Sequence, residues 1–469
     1  MRGSIVSAAI VIQIFFLIAI IVFKSFGAIP RWDLLDQISI ADRIVMNLPM
    51  YPDANGEWLW GVSVYFPGVA LVAALLMEVL PQASIVFAML IIAAAVTFCS
   101  IFIQKKIVYS MYGSYEPRNF WPSMIVISLT VCYQWLTYAS ELKPDTLAYL
   151  IGSVCVLANE KFRDKPSIAF ILGVFTGGAL IFKQQHIAFI IGYLSYCIFT
   201  RNGGCKPFLI GILIGSAAVI GYLFADESMF FWTIDVLADD GYLSIDDWLS
   251  AHSKFALVSF LSVLGLFSLH LSNKLRLDFP RFGVVARGAI STPFPWIIIS
   301  SFCVAFASSW KLGGNSGNTA YGVFLMSPII LIILERAGHR VLITISALVL
   351  LLHLPSVTQH ANRLRDIVDF KVQVDSVLKN RCSGVVVGSD LYYAVREACL
   401  GHQYQNYWTH ALRKNSDVLE GAQLRNFVSD KRNKVFVAED FPVNKEIFLD
   451  QDDLELVFEN KIGLIAVRK

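Results

Sequence analysis

Two aspartates that follow the first long apolar segment of the chain are the first candidates for chemistry. Asp33 and Asp36 come soon after the apolar run 4–23, within a polar, acidic stretch at 29–60. A carboxylate held at a membrane surface can act as a general base that takes the proton of an acceptor hydroxyl. Either aspartate suits this role, and the other then caps an interfacial helix, for which the stretch is long enough.

Three further groups of polar residues stand at the ends of apolar segments. Each alone fits a structural role, as a local ion pair, a lysine that reaches toward the lipid headgroups, or a glycine-rich turn. Ionisable groups near membrane depth are unfavourable, so their occurrence on one predicted face of the membrane indicates a functional site. The groups are Glu141, Lys143 and Asp145 in YASELKPDTLAYL, Lys183 and Gln184 in IFKQQH, and Lys311, Asn315 and Tyr321 in KLGGNSGNTAY.

These residue types fit the transfer of a sugar from a lipid phosphate. Lysine binds phosphate as a compact point charge, so Lys183 and Lys311 are the predicted phosphate ligands. A departing lipid phosphate needs charge stabilisation but no proton, whereas the acceptor hydroxyl needs a base. The sequence contains no glycine-rich nucleotide loop, which favours a polyprenyl-phosphate sugar over a sugar nucleotide as the donor.

The composition indicates a polytopic membrane protein. Of the 469 residues, 56% are hydrophobic and only 16% are charged, and the mean hydropathy is +0.60. No run of five or more basic residues occurs, so a nucleic-acid partner is not expected. The eight cysteines form no CxxC motif and no Cys/His cluster, which argues against a structural zinc site.

The apolar segments predict an all-α membrane domain of about eleven spans over 1–354. A spanning helix needs roughly 20 apolar residues. The run 62–80 is also apolar, but Pro67 and Gly68 interrupt it. We therefore assign it to a re-entrant or interfacial helix within a large external loop at 24–83. The predicted spans are 4–23, 84–104, 121–138, 145–159, 167–182, 186–199, 207–225, 254–272, 290–309, 320–335 and 341–354.

The distribution of lysine and arginine predicts the orientation. We place the protein in the inner (plasma) membrane with its N-terminus in the cytoplasm. In this orientation the internal loops carry about twice as many basic residues as the short external loops. The C-terminus then lies outside, on the periplasmic or extracellular face. The polar groups at Asp36, Lys183 and Lys311 fall on this same external face.

From residue 355 onward, the pattern of a soluble protein returns. The periodicity predicts an amphipathic helix at 361–378, strands at 384–390, 434–440 and 463–469, and helices near 391–400 and 417–430. We therefore expect 355–469 to be a small external α/β domain. Its two cysteines, Cys382 and Cys399, are candidates for a disulfide, because that compartment is oxidising.

The motifs in this chain resemble those of the membrane-embedded C-type glycosyltransferases, which include the lipid A aminoarabinose transferases and the protein O-mannosyltransferases. The resemblance rests on Asp36 with Ala41 and Tyr51, on YFP at 65–67, on KPD at 143–145, on GVFTGGALIFKQ at 173–184 and on KLGGNSGNTAY at 311–321. It implies that Asp36 is the base, that Asp145 is a second acidic residue of the site, and that Tyr51 contributes to substrate binding. Asp33 stays the alternative to Asp36 as the base and is otherwise assigned to substrate binding.

One departure from the family pattern bears on metal use. The family often has Asp-Glu at the first site, whereas Gln37 follows Asp36 here. No metal ligand is therefore assigned, and a divalent metal stays an open alternative. Two other functions stay open as well: a flippase or polymerase of lipid-linked oligosaccharides, and an assembly subunit without catalysis. The sequence identifies neither the sugar nor the acceptor, which can be a glycan, a lipid or a protein.

Overall fold

The computed structural model describes eleven stretches of the chain and is mostly helical over them, with one three-stranded sheet near the C-terminus. The described residues are 32–51, 65–81, 84–112, 144–200, 205–235, 244–249, 291–310, 365–378, 428–432, 434–439 and 442–469.

Six of the predicted spans coincide with long helices. Long apolar runs leave the backbone no partner in a lipid environment except itself, which is why such runs form helices. The other five predicted spans lie outside the described residues. The helices are α3 (Ile85–Tyr112), α4 (Pro144–Phe162), α5 (Pro166–Gly178), α6 (Ile187–Thr200), α7 (Lys206–Ala225) and α10 (Pro293–Ser309).

Helix α7 is 20 residues long and apolar enough to cross a membrane on its own, and it is the one helix in the described part of the chain that meets both conditions. Helix α10, and α5 together with the turn that follows it, are apolar but shorter. Proline opens α5 and α10, as expected at the first turn of a helix, where a backbone N–H has no helical partner.

The large loop after the first predicted span contains two helices. Helix α1 (Trp32–Val45) ends in a left-handed turn at Asn47, whose φ is 56°. There the N–H of Leu48 donates to the carbonyl of Arg43 at 2.8 Å, and the N–H of Asn47 donates to that of Ile44 at 3.0 Å. This pair of bonds is the Schellman motif, and asparagine is one of the few residues that adopt its left-handed position readily.

Helix α2 (Gly68–Met77) has only ten residues. At 1.5 Å per residue it extends about 15 Å, roughly half the hydrocarbon thickness of a bilayer. Its length therefore supports the prediction that 62–80 is not a full span.

Helices α5 and α7 pack in closer contact than any residue larger than glycine permits. Each helix carries two glycines four residues apart, Gly173 and Gly177 on α5 and Gly211 and Gly215 on α7. A Cβ at any of the four would collide with a backbone carbonyl of the other helix. Small residues at this spacing let two backbones approach closely in membranes, where van der Waals packing drives association.

Helices α6 and α10 pack in a similar way around a single glycine. A Cβ at Gly192 would lie 2.5 Å from both the Cα of Ile297 and the Oγ of Ser300. The hydroxyl of Ser300 donates to the carbonyl of Ala188 at 2.5 Å, which fixes the two helices at this point.

The C-terminal part of the chain contains an antiparallel sheet with a helix on each face. Strand β3 (Gly463–Arg468) lies between β1 (Val435–Glu439) and β2 (Leu454–Glu459). Phe370 of α11 (365–378) contacts Phe458 on one face, and Phe448 of α12 (Pro442–Leu449) contacts Phe436 on the other. The predicted strands at 434–440 and 463–469 and most of the predicted helix at 361–378 are confirmed.

Other parts of the C-terminal prediction differ from the structure or are not covered by it. Strand β2 and helix α12 were not predicted, although β2 alternates buried and exposed residues along its length. The predicted strand at 384–390, the helix near 391–400 and the cysteines Cys382 and Cys399 lie outside the described residues.

Candidate functional site

The two helices of the loop that follows the first predicted span, α1 and α2, contact each other. The carbonyl oxygen of the Gln37 side chain accepts a hydrogen bond from the backbone N–H of Ala70 at 3.1 Å. Ala70 lies in the first turn of α2, where a backbone N–H has no helical partner, so the Gln37 side chain stabilises the start of that helix. Gln37, Ile40 and Ala41 are all fully buried. Gln37, which stands where the family often has glutamate, thus has a structural role.

Tyr51 holds the two ends of the following segment together. Its hydroxyl donates to the backbone carbonyl of Tyr65 at 2.5 Å, and its side chain is only 1% exposed. Burial raises the pKa of the Tyr51 phenol well above its ordinary value, and the carboxylate of Asp226 raises it further. The phenol therefore stays protonated and remains a hydrogen-bond donor.

Lys183 lies against the ring of Tyr65. Its Nζ is 4.0 Å from the centroid of the Tyr65 ring, and only 7% of the residue is exposed. A cation over the face of an aromatic ring is held by the quadrupole of the ring, and the attraction grows as water is excluded. The structure thus brings Tyr51 and Lys183, which the sequence placed in one site, into contact with the same residue, Tyr65.

A glycine at the start of α2 permits this approach. A Cβ on Gly68 would lie 2.5 Å from the Phe182 ring and 2.8 Å from the carbonyl oxygen of Ile181. Phe182 and Ile181 directly precede Lys183. Gly68 therefore sets how closely the interfacial helix lies to the lysine.

Gln184 and Gln185 connect the lysine segment to two other parts of the molecule. The side-chain amide of Gln184 donates to the carbonyl of Thr233 at 3.3 Å. That of Gln185 donates to the hydroxyl of Ser308 at 2.9 Å. Gln184 thus contacts the π-helical turn Phe231–Asp235 that follows α8 (Glu227–Phe230), and Gln185 contacts the end of α10.

The end of α10 carries an aromatic cluster. Trp248, in the short helix α9 (245–249), stacks on Trp310 with ring centroids 5.3 Å apart and donates its indole N–H to Ser309 at 3.1 Å. Phe306 contacts both tryptophans. Tryptophan is enriched where a membrane meets water, which agrees with the prediction that this end of the molecule is at a membrane surface.

Asp226 is a carboxylate at the site that the sequence analysis did not select. It lies between α7 and α8, where its Oδ1 accepts from the N–H of Met229 at 2.9 Å and caps α8. It is also close enough to Tyr51 to act on it electrostatically. An aspartate three residues before a free backbone N–H is a recognisable cap signal, but its proximity to Tyr51 depends on the tertiary fold.

Asp145 lies in the first turn of α4. Tyr149 follows it by one turn, and the Tyr149 ring contacts Phe189 at 6.3 Å between centroids. Gly152, a further turn along, is where a Cβ would lie 2.9 Å from the fully buried His186. Tyr149 and Gly152 therefore belong to the stripe of α4 that packs on 186–189.

Asp33 and Asp36 both lie in α1, in its first and second turns. The prediction that the segment after the first span is helical is confirmed. Lys143, Lys311, Asn315 and Tyr321 lie outside the described residues. Among the residues that the structure does describe, no group of three or more His, Cys, Asp or Glu side chains is arranged to hold a metal ion.

No protein-family model matches the chain, and no curated protein matches its sequence. A solved structure of ArnT from Cupriavidus metallidurans shares its fold, and a second one is similar to it. The structure of that protein bound to undecaprenyl phosphate has 12% sequence identity and a TM-score of 0.58, and the match covers 97% of each chain. The apo structure has 13% identity and a TM-score of 0.48, with 98% of each chain covered. The predicted resemblance is thus confirmed at the level of the fold, which is that of a polytopic helical membrane protein with a C-terminal domain.

Proposed function

We propose that this chain, which has the fold of ArnT, is an integral membrane glycosyltransferase. In this proposal it moves a sugar from a polyprenyl-phosphate donor to an acceptor hydroxyl at the external face of the membrane. The similar ArnT structure contains undecaprenyl phosphate, a lipid of the proposed donor class.

The observation that carries the proposal is the position of Lys183. Its side chain is nearly excluded from solvent and lies on the Tyr65 ring, directly after Ile181 and Phe182, which lie against Gly68 of α2. A fixed cation with little hydration stabilises a phosphate anion more strongly than an exposed lysine does, because the local dielectric constant is low. This suits a group that must stabilise a lipid phosphate as it departs.

The proposed reaction assigns one role to each part of the site. Asp36 takes the proton of the acceptor hydroxyl while the new bond forms between that oxygen and C1 of the sugar. The bond between C1 and the phosphate oxygen breaks, and the polyprenyl phosphate departs as an anion held by Lys183 and Lys311. Asp145 orders the acceptor or the first external loop, while Asp33, Tyr51, Lys143, Gln184, Asn315 and Tyr321 contribute to substrate binding.

The experiment that tests the proposal starts with cells that lack the protein. We expect one lipid-linked sugar to accumulate, and lipid extraction with mass spectrometry identifies it. The purified protein in lipid nanodiscs should then convert that lipid to polyprenyl phosphate when the acceptor is added. Addition of EDTA shows whether the reaction requires a divalent metal.

A pair of aspartate variants separates the transferase from the other functions. Asp36→Asn should fail to consume the lipid-linked sugar, whereas Asp164→Asn, an exposed aspartate at the end of α4, should behave as the wild type. If the lipid-linked sugar instead accumulates on the cytoplasmic face, the chain is a flippase. If Asp36→Asn and Asp33→Asn both retain normal turnover, it is an assembly subunit. Transfer from a sugar nucleotide without a lipid intermediate would refute the proposed donor.

A further inference from the structure

The segment 183–186 is a short turn between α5 and α6 that carries Lys183. Gln184, Gln185 and His186 form one turn of 3-10 helix, and Lys183 precedes it in an extended conformation. The backbone N–H of His186 donates to the carbonyl of Lys183 at 3.0 Å. The position of the lysine backbone therefore depends on what holds the rest of the turn.

His186 fixes the turn to the end of α5. The residue is fully buried, and its Nε2 lies 3.1 Å from the backbone carbonyl oxygen of Thr176. A carbonyl oxygen can only accept a hydrogen bond, so Nε2 carries a proton and donates it. Thr176 is in the last turn of α5, where carbonyls take partners from outside the helix. The imidazole also stacks on Phe189 with 5.2 Å between centroids.

Gln185 fixes the same turn to α10. Its side-chain amide donates to the hydroxyl of Ser308 at 2.9 Å. That hydroxyl donates in turn to the carbonyl of Ala305 at 3.1 Å, one turn earlier in α10. Because the Ser308 hydroxyl accepts one hydrogen bond and donates another, its orientation is set by both. Two different helices, α5 and α10, thus hold the turn through side-chain hydrogen bonds.

A fixed turn leaves only the lysine side chain to be ordered. A free lysine side chain loses much rotamer entropy when it is held in one position. Here the Tyr65 ring holds the ammonium group at 4.0 Å from its centroid, and the backbone below it is already fixed. A group that is in place before its partner arrives binds that partner more tightly, because the ordering cost has been met during folding.

We propose that Gln185 and His186 are positioning residues that hold Lys183 in place for the phosphate of the lipid donor. Neither residue touches the donor in this proposal, and both act through the backbone of the turn. The identity of the anion rests on the proposed function. The placement of Lys183 does not, because it can be measured without any substrate.

The first test measures the reactivity of the Lys183 amine in the full-length protein in lipid nanodiscs. Sulfo-NHS acetate modifies accessible amines, and mass spectrometry of the peptides gives the rate at each lysine. Lys183 should react slowly in the wild type, beside the exposed Lys165 as a reference. His186→Leu and Ser308→Ala should each raise the rate at Lys183 by roughly fivefold, the usual effect of losing one hydrogen bond. The rate at Lys165 should not change.

Two further variants separate positioning from a general loss of structure. His186→Gln keeps an N–H donor and should restore the protection of Lys183. Thr200→Val removes a hydrogen bond of the same kind, from the Thr200 hydroxyl to the carbonyl of Tyr196 at 2.8 Å, but about 20 Å further along α6. It should leave Lys183 as protected as in the wild type. The proposal is wrong if His186→Leu and Ser308→Ala leave the rate at Lys183 unchanged, or if Thr200→Val raises it equally.

Binding of undecaprenyl phosphate tests the consequence for the donor site. In titrations followed by native mass spectrometry, His186→Leu and Ser308→Ala should bind this lipid about fivefold more weakly than the wild type. His186→Gln and Thr200→Val should bind it as the wild type does. Normal affinity in variants whose Lys183 has become reactive would overturn the inference. A wild type that binds no undecaprenyl phosphate, together with the expected reactivity pattern, would refute the proposed donor and leave the positioning of Lys183 established.

Discussion

Tyr65 contributes two different groups to the candidate site. Its backbone carbonyl accepts the hydrogen bond from Tyr51, and its ring carries the ammonium group of Lys183. The first contact fixes the tyrosine, and the second uses it to hold a cation. A loop tyrosine thereby links the external segment to the turn between α5 and α6.

Substitutions at Tyr65 should separate its ring from its hydroxyl. Tyr65→Phe keeps the ring and should leave use of the lipid-linked donor nearly unchanged. Tyr65→Leu removes the ring, and loss of a desolvated cation–π contact of about 2 kcal/mol should weaken donor use by roughly thirtyfold. Initial rates over a range of donor concentrations measure both. Equal activity of the Leu and Phe variants would show that the ring does not position Lys183.

The aspartates should differ in their response to the loss of charge. Asp36→Asn should reduce transfer by about 10²- to 10⁴-fold, the usual contribution of a positioned base. Asp33→Asn should be milder, because Asp33 lies in the first turn of α1, where loss of one negative charge costs the helix only about 0.3–1 kcal/mol. Asp145→Asn should also impair transfer. Single-turnover rates on protein with normal membrane insertion measure the series, and an inactive Asp33→Asn beside an active Asp36→Asn would reassign the base.

At the scale of single residues, the sequence indicated which residues belong to the site better than it indicated which residues contact each other there. Lys183 and Tyr51 could be selected because a lysine at the end of a predicted span and a tyrosine within a motif are recognisable from the sequence alone. Tyr65, Gly68 and Asp226 contact or act on them across 14 to 175 positions of the chain. No local pattern encodes such distances, so the contact of Lys183 with the Tyr65 ring was not foreseen.

At the scale of elements, the close contact between α5 and α7 depends on glycines, which have no Cβ to keep the two backbones apart. A Cβ at Gly215 would collide with the carbonyl of Val174 and lie 2.8 Å from the backbone N of Gly178. A Cβ at Gly221, in the same helix, would meet nothing within 4 Å. These two positions form a matched pair for substitution.

Alanine at these two glycines should change stability in opposite directions. Gly215→Ala should destabilise the protein by about 1–3 kcal/mol, because the helices must separate. Gly221→Ala should stabilise it by up to about 1 kcal/mol, because alanine favours a helix more than glycine does. Thermal unfolding in one detergent measures both. A decrease of similar size for both variants would mean that the close packing at Gly215 is not the cause.

The limits of prediction at this scale have a physical origin. Span positions follow from the length of apolar runs, which is why six of them coincide with helices. An apolar helix in lipid has no polar face to indicate its partner, so the pairing of α5 with α7 was not predicted. Strand β2 was missed although Glu455 and Glu459 stand at its exposed positions, because the apolar Val457 also stands at an exposed position and interrupts the alternation.

At the scale of the whole molecule, different groups of residues lie at the two ends of the helices, and they lead to a prediction about membrane topology. The Lys183 segment, the aromatic cluster at Trp248 and Trp310, and α1 and α2 all belong to the predicted external side. Lys161 in the last turn of α4, and Arg163 and Lys165 between α4 and α5, lie at the opposite ends of helices that lead to the site. The proposed reaction requires that these two sets of residues face different compartments.

Reporter fusions test this requirement directly. Alkaline phosphatase is active only outside the cytoplasm, and green fluorescent protein fused to an exported segment does not fluoresce. Phosphatase fused after Lys469 should be active, because the predicted eleven spans place the C-terminus outside. The same enzyme fused after Lys165, with the rest of the chain removed, should be inactive, because the positive-inside rule assigns this loop to the cytoplasm. The fluorescent fusions should give the inverse pattern. Phosphatase that is inactive at Lys469 and active at Lys165 would invert the orientation and place the Lys183 site in the cytoplasm.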